Sequence, residues 1–174
     1  MVSNVNYQIE DVFSPRSFPQ NTYISRKLDN GETVDDRLRR ALAMKGNLIF
    51  VSGASKSGKT VLCHNVIDSD SYIALSGNQI STKADFWNHI AEQLIQNNDM
   101  TEYQVIRYLI DNNKVLVIDD FHYVAKDMQM YIARTLKTEL FNGLKAVIFA
   151  SANVRDEVII NNPDLIGRTT SIEI

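Results

Sequence analysis

Three stretches of the chain, LIFV at 48–51, VLVI at 115–118 and AVIF at 146–149, are apolar at every position, and the first is bounded at once by polar residues and then glycine. Short runs without alternation predict strands buried on both faces, as in the middle of a parallel sheet. NLIFVS, KVLVIDD and KAVIFAS are therefore predicted strands, with YIAL at 72–75 and the terminal TTSIEI as two more. Between them the apolar spacing changes to that of helices. VDDRLRRALAMK, between Thr33 and Lys45, puts Val34, Leu38, Ala41 and Leu42 on one face and its acidic residues first. A second helix is predicted from near Lys59, and a third, capped by Ser81 or Thr82, carries Phe86, Ile90 and Leu94, leaving Trp87 and His89 off the stripe. Thr101–Asn112, Asp127–Phe141 and a short segment near Val154–Ile160 are the remaining predicted helices. Strands alternating with helices imply βαβ units: an α/β three-layer sandwich with a mainly parallel sheet covered on both faces. Residues 1–32, polar and broken by Pro15, Pro19, Asn30 and Gly31, read as an irregular arm ahead of a core over 33–174.

Composition narrows the class of protein. At 174 residues, 44% hydrophobic and 22% charged, the chain can bury one substantial core. Its formal net charge of −3 does not support strong nucleic-acid binding, which calls for a clearly basic surface. Arg37, Arg39 and Arg40 accordingly read as a solvated helix face. One cysteine, Cys63, and three histidines, His64, His89 and His122, supply neither a disulfide framework nor a paired Cys/His metal site. The start, MVSNVNYQIEDVF, has no basic segment followed by an apolar run, and no window approaches 18 apolar residues in a row. The expectation is a cytoplasmic protein without membrane contact.

Two adjacent carboxylates, Asp119 and Asp120, close the strand VLVIDD. Placed side by side at the end of a buried strand they repel each other and lose hydration, unless a cation lies beside them. The first strand ends in Gly53-Ala54-Ser55-Lys56-Ser57-Gly58-Lys59-Thr60, which matches G-x-x-x-x-G-K-S/T in full and opens a predicted helix. Such a loop turns its N–H groups inward around phosphate oxygens, and the helix behind it, starting through Val61, adds its positive end. Lys59 would reach the β- and γ-phosphates, and the Thr60 hydroxyl would help hold Mg²⁺. The missing cation is then that Mg²⁺, held also by Asp119, commonly through water. Asp120 would face the γ-phosphate, where a carboxylate orients or deprotonates the attacking water; the alternative is a strand-end carboxylate that caps nearby N–H groups.

With these residues the chain resembles the P-loop NTPases, and within them the additional-strand group that includes AAA+ and STAND ATPases. GASKSGKT looks like Walker A and VLVIDD like Walker B, with a whole β-α-β segment between them. The resemblance covers about residues 33 to 174 and implies a five-stranded sheet in the order 5-1-4-3-2. It implies ATP or ADP as ligand. It also implies a polar sensor at the tip of the strand after Walker B, where Ser151 and Asn153 stand; both also suit plain strand-end turns. In NPDLIGR it implies an arginine, Arg168, that reaches a neighbouring subunit's nucleotide, with an ordinary surface arginine as the other reading. SFPQNTYISR resembles the entry segment of such ATPases: Tyr23 and Ile24 would sandwich the purine and Arg26 anchor the segment, or the segment simply pins a tail to the domain. Asp-Asp in place of Asp-Glu is similar to STAND switch ATPases and implies slow hydrolysis. The chain stops on the last core strand, where these families continue into a helical lid, so the lid is expected from a longer protein or from a partner.

The reading that follows is an ATP-binding regulatory ATPase or nucleotide switch of AAA+/STAND type, controlling assembly or an attached effector, as in bacterial signalling and defence. Homo-oligomers or an effector protein are the expected partners. A DNA-linked transposition or replication ATPase is the first alternative, since such Walker B regions resemble IDDFH with His122 after the acids. A small-molecule kinase is the second, although no arginine-rich insert follows the third or fourth strand.

Overall fold

A computed structural model of the chain describes residues 23–94, 100–152 and 169–174. The predicted helix near Val154–Ile160, together with Asn153, Arg168 and the first 22 residues, lies outside them. Five strands form one wholly parallel sheet: β1 (Asn47–Ser52), β2 (Tyr72–Ser76), β3 (Val115–Asp119), β4 (Ala146–Ser151) and β5 (Thr169–Glu173). Their order is β2-β3-β4-β1-β5, the expected 5-1-4-3-2 counted from the other edge. The strands with unbroken apolar runs, β1, β3 and β4, take the three central places and are buried almost throughout. The edge strands β2 and β5 are partly open.

Because side chains alternate across a strand, each central strand feeds two cores. Leu48, Phe50, Leu116, Ile118, Val147 and Phe149 face one side, under α3 (Lys83–Leu94), α4 (Glu102–Asp111) and α5 (Lys126–Asn142). Ile49, Val51, Val115, Val117, Ile148 and Ala150 face the other, under α1 (Val34–Ala43) and α2 (Lys59–Val66). The starts of α1, α3 and α4 each have a local reason. Thr33 accepts the Asp36 N–H, Thr82 and Asp85 exchange side-chain and main-chain bonds, and Thr101 with Gln104 forms a full capping box.

Trp87 departs from the expected stripe of α3. It is buried, and its indole N–H donates to the Tyr131 hydroxyl on α5 at 3.0 Å, so α3 is gripped from two sides. His89 stays partly exposed beside Glu92. The third strand ends one residue early, at Asp119; Asp120 turns into the left-handed region with φ 52° and ψ 37°. The last part of the arm is docked: Lys27 pairs with Thr33, and Val34 donates to the Arg26 carbonyl at 2.9 Å. Among the described residues no helix is long and apolar enough to cross a membrane.

Register decides what the fold presents. Ser52 stands opposite both Ser151 and Glu173, and Ser76 opposite Asp119. The polar ends of all five strands therefore lie along one edge, the carboxyl edge, where open α/β sheets bind their ligands.

Candidate functional site

The loop from Gly53 to Gly58 leaves β1 at this edge and runs into α2. Gly58 sits at the cap of α2 with φ 99°, a conformation that a Cβ would strain. Lys56, with φ 63°, takes the same left-handed form without glycine's freedom, as residues at functional loops often do. Ala54, Ser55 and Lys56 are exposed, while the Ser57 N–H closes a turn onto Ala54 at 3.1 Å. The Ser57 hydroxyl is buried and has no hydrogen-bond partner among the described residues. Lys59 folds back over the loop, 6% exposed, and its ammonium donates to the Gly53 and Ala54 carbonyls at 3.0 and 2.9 Å. The loop thus encloses a cation and an unsatisfied donor at a helix N-terminus, and an anion with several acceptor oxygens fits it.

Across from the loop, Thr60 donates its hydroxyl to the Asp119 carboxylate, joining the start of α2 to the end of β3. The other Asp119 oxygen accepts the Asp120 N–H at 2.9 Å. These are hard oxygen donors of the kind Mg²⁺ takes. Among the described residues no group of three or more His, Cys, Asp or Glu side chains converges. Behind Thr60 the buried Cys63 thiol is pushed up to about 12, mainly by burial and then by the Asp119 carboxylate.

Asp120 is held by its backbone. Gly77, just past β2, approaches so closely that a Cβ there would overlap the Asp120 carbonyl. The Tyr123 N–H donates to that carbonyl at 2.9 Å, and Gln129 of α5 donates its side-chain amide to the Phe121 and Val124 carbonyls at 3.2 and 2.8 Å. The neighbouring β4 ends at Ser151, half-buried beside the end of β1.

On the outer side of the loop a cavity of about 240 Å³ is lined by Tyr23, Ile24, Arg26, Ser57, Gly58, Val61 and Leu62, among others. The arm reaches it through Asp35, which is buried in the first turn of α1 and accepts hydrogen bonds from the Tyr23 hydroxyl at 2.8 Å and from Ser25. Burial and this carboxylate raise the Tyr23 phenol well above its ordinary value. Ile24 is largely exposed at the mouth.

The fold thus gathers Lys59, Thr60, Asp119, Asp120 and Ser151 along one edge and sets Tyr23, Ile24 and Val61 around an adjoining cavity; Asn153 and Arg168 are not described. Sequence reasoning missed Asp35, Gln129 and the contact of His122 described below, for which the sequence carries no periodic signal. Gly77 had one: an isolated glycine directly after a strand marks a close backbone approach.

Comparison with known proteins bears on the family and the fold. Residues 41–156 match the family described as AAA domain. No curated protein matches the sequence. Among solved structures the fold is similar to Cdc6p from Pyrobaculum aerophilum, at 17% identity and a TM-score of 0.63 over 93% of this chain and 48% of that one. It is similar to a chain in the Drosophila ORC structure bound to poly(dA/dT) DNA and Cdc6, at 11% identity and a TM-score of 0.58 over 80% and 27%. It is also similar to the replication initiator DnaA bound to AMPPCP and single-stranded DNA, at 18% identity and a TM-score of 0.50 over 81% and 44%. At these identities the likeness is one of fold, and the chain spans half or less of each protein's length.

Proposed function

The chain belongs to the AAA domain family, and from that premise we propose that it is an ATP-binding regulatory ATPase whose nucleotide state controls assembly or an attached effector. The observation that carries this reading is the hydrogen bond between Thr60 and Asp119, which joins the phosphate-loop helix to the acidic strand end. In this reading the loop N–H groups from Gly53 to Thr60 and the Ser57 hydroxyl take the phosphates. Lys59 leaves the Gly53 and Ala54 carbonyls for phosphate oxygens, a stronger charge-assisted pairing. Thr60 and Asp119 would hold Mg²⁺, which supplies charge neutralisation at the phosphates. Asp120 orients or deprotonates the attacking water, and Ser151, with Asn153, hydrogen-bonds the γ-phosphate or that water. Tyr23 and Ile24 cover the base, held in place through Asp35. Arg168 is offered to a neighbour's nucleotide. The arm over 1–32 serves the base, and the core over 33–174 serves the phosphates.

A second reading, a DNA-linked replication or transposition ATPase, is favoured by two structures of similar fold, ORC bound to DNA and DnaA bound to single-stranded DNA. The net charge of −3 argues against strong DNA binding by this chain alone. ATP turnover measured with and without single- and double-stranded DNA separates the two: stimulation selects the DNA-linked reading, and indifference selects the regulatory one.

The proposed division of labour is tested by calorimetric titration with ATP, with and without Mg²⁺, alongside phosphate release. Asp119→Ala is expected to weaken Mg²⁺-dependent binding by about tenfold or more, while Asp120→Asn binds nearly as wild type and hydrolyses at least about 100-fold more slowly. Equal effects of both variants on both measurements would refute it.

A further inference from the structure

His122 lies in the short turn Phe121–Tyr123 that follows Asp120, and its Nδ1 accepts the main-chain N–H of Ala152, 3.3 Å away, just past the end of β4. The residue before it makes a parallel contact: the Phe121 ring stacks on Phe149 of β4, centroids 4.2 Å apart and planes 16° from parallel. Two consecutive side chains of one turn therefore grip one strand, Phe121 within the core and His122 at the strand's tip. The turn itself is fixed from behind by Gln129 and from below by Gly77. A rigid corner carrying Asp120 is thereby tied, through a single imidazole, to the peptide that follows Ser151.

An acceptor at Nδ1 requires an imidazole that carries its proton on Nε2. Few side chains have this reach. Asparagine can place Oδ1 at the same distance from its own Cα as histidine places Nδ1, whereas alanine and phenylalanine offer no acceptor.

We propose that His122 is a positioning residue: it fixes the tip of β4, and with it Ser151, relative to Asp120, so that both polar groups address the same water. The inference rests on the reading of Asp120 as the group that orients that water. It concerns geometry and not nucleotide affinity, because neither His122 nor Ala152 lies in the phosphate loop or the base cavity.

The test compares wild type, His122→Asn and His122→Ala in the 174-residue chain, with folding checked by circular dichroism. Amide hydrogen exchange read by NMR on the nucleotide-free protein reports the link directly. Ala152 should exchange about fivefold faster in His122→Ala, the size expected for one lost hydrogen bond, and at close to the wild-type rate in His122→Asn. In ATP turnover, His122→Ala should lose about tenfold in kcat with KM within about twofold, and His122→Asn should recover most of the loss. Unchanged Ala152 exchange in His122→Ala would overturn the proposal. So would an asparagine variant as slow as the alanine variant, or a loss confined to KM. A wild type that fails to bind ATP would instead remove the functional reading, and the exchange comparison would still decide whether the link exists.

Discussion

The clearest single-residue consequence of the site concerns a group that does no chemistry in it. The Cys63 thiol rises from an ordinary 9.0 to about 12 because it is buried and faces the Asp119 carboxylate. Tyr72 rises too, through burial and then Cys63. Both are held in their neutral, protonated forms by folding. With folded values above unfolded ones, their contribution to stability is complete below about pH 9 and is lost as the pH climbs towards 12. The thermal midpoint is therefore expected to fall across that window, and less steeply in Cys63→Ala. At about pH 8 the native thiol should resist alkylation and react only in denaturant. Rapid labelling of the folded protein would contradict its burial. At this scale the sequence was informative where a residue type has one demanding use. Gly58, Lys59 and Thr60 are legible because a phosphate loop needs them at that spacing. Asp35, Gln129 and His122 were not, because a lone polar side chain gives no sign of which distant hydroxyl or peptide it will meet.

Among elements, the unbroken apolar strands were the most readable feature, since only a strand covered on both faces can carry them, and β1, β3 and β4 took the central places accordingly. The helices were read from one stripe each, and that is why Trp87 was misplaced: α3 packs against both the sheet and α5, so a residue beside the stripe is also buried. The end of β3 was read one residue too long because Asp120 looks like a strand residue in composition, while its φ of 52° comes from the turn built around it. That turn depends on β2 through Gly77. Gly77→Ala should push the Asp120 carbonyl aside, costing about 1–3 kcal/mol of stability, an overpacking cost. Hydrolysis should suffer more than ATP affinity, because Asp120 moves and the phosphate loop does not. A variant with wild-type stability and turnover would show that the close approach is dispensable.

For the molecule as a whole, the sheet order was legible through the resemblance carried by the two motifs and the β-α-β segment between them, and it is the order found. Assembly was not, because it depends on surfaces whose partners leave no periodic trace. Arg168 is proposed as a cation supplied in trans, worth about 10³ to 10⁵ in rate where such an arginine operates. Turnover per subunit should then rise with protein concentration, and mixing Arg168→Ala with Asp120→Asn subunits should recover activity. Absence of recovery, with concentration-independent turnover, would return Arg168 to an ordinary surface role.

The central claim is that the loop from Gly53 to Thr60 binds the phosphates of ATP, and it is tested most directly by calorimetric titration of Lys59→Ala with Mg-ATP. Among the described residues the Lys59 ammonium donates to the Gly53 and Ala54 carbonyls, both in the loop, so its removal should leave the fold intact by circular dichroism. The account predicts that affinity falls by more than about tenfold, the effect of losing charge-assisted bonds to phosphate. A folded Lys59→Ala protein that binds Mg-ATP as tightly as the wild type would contradict it.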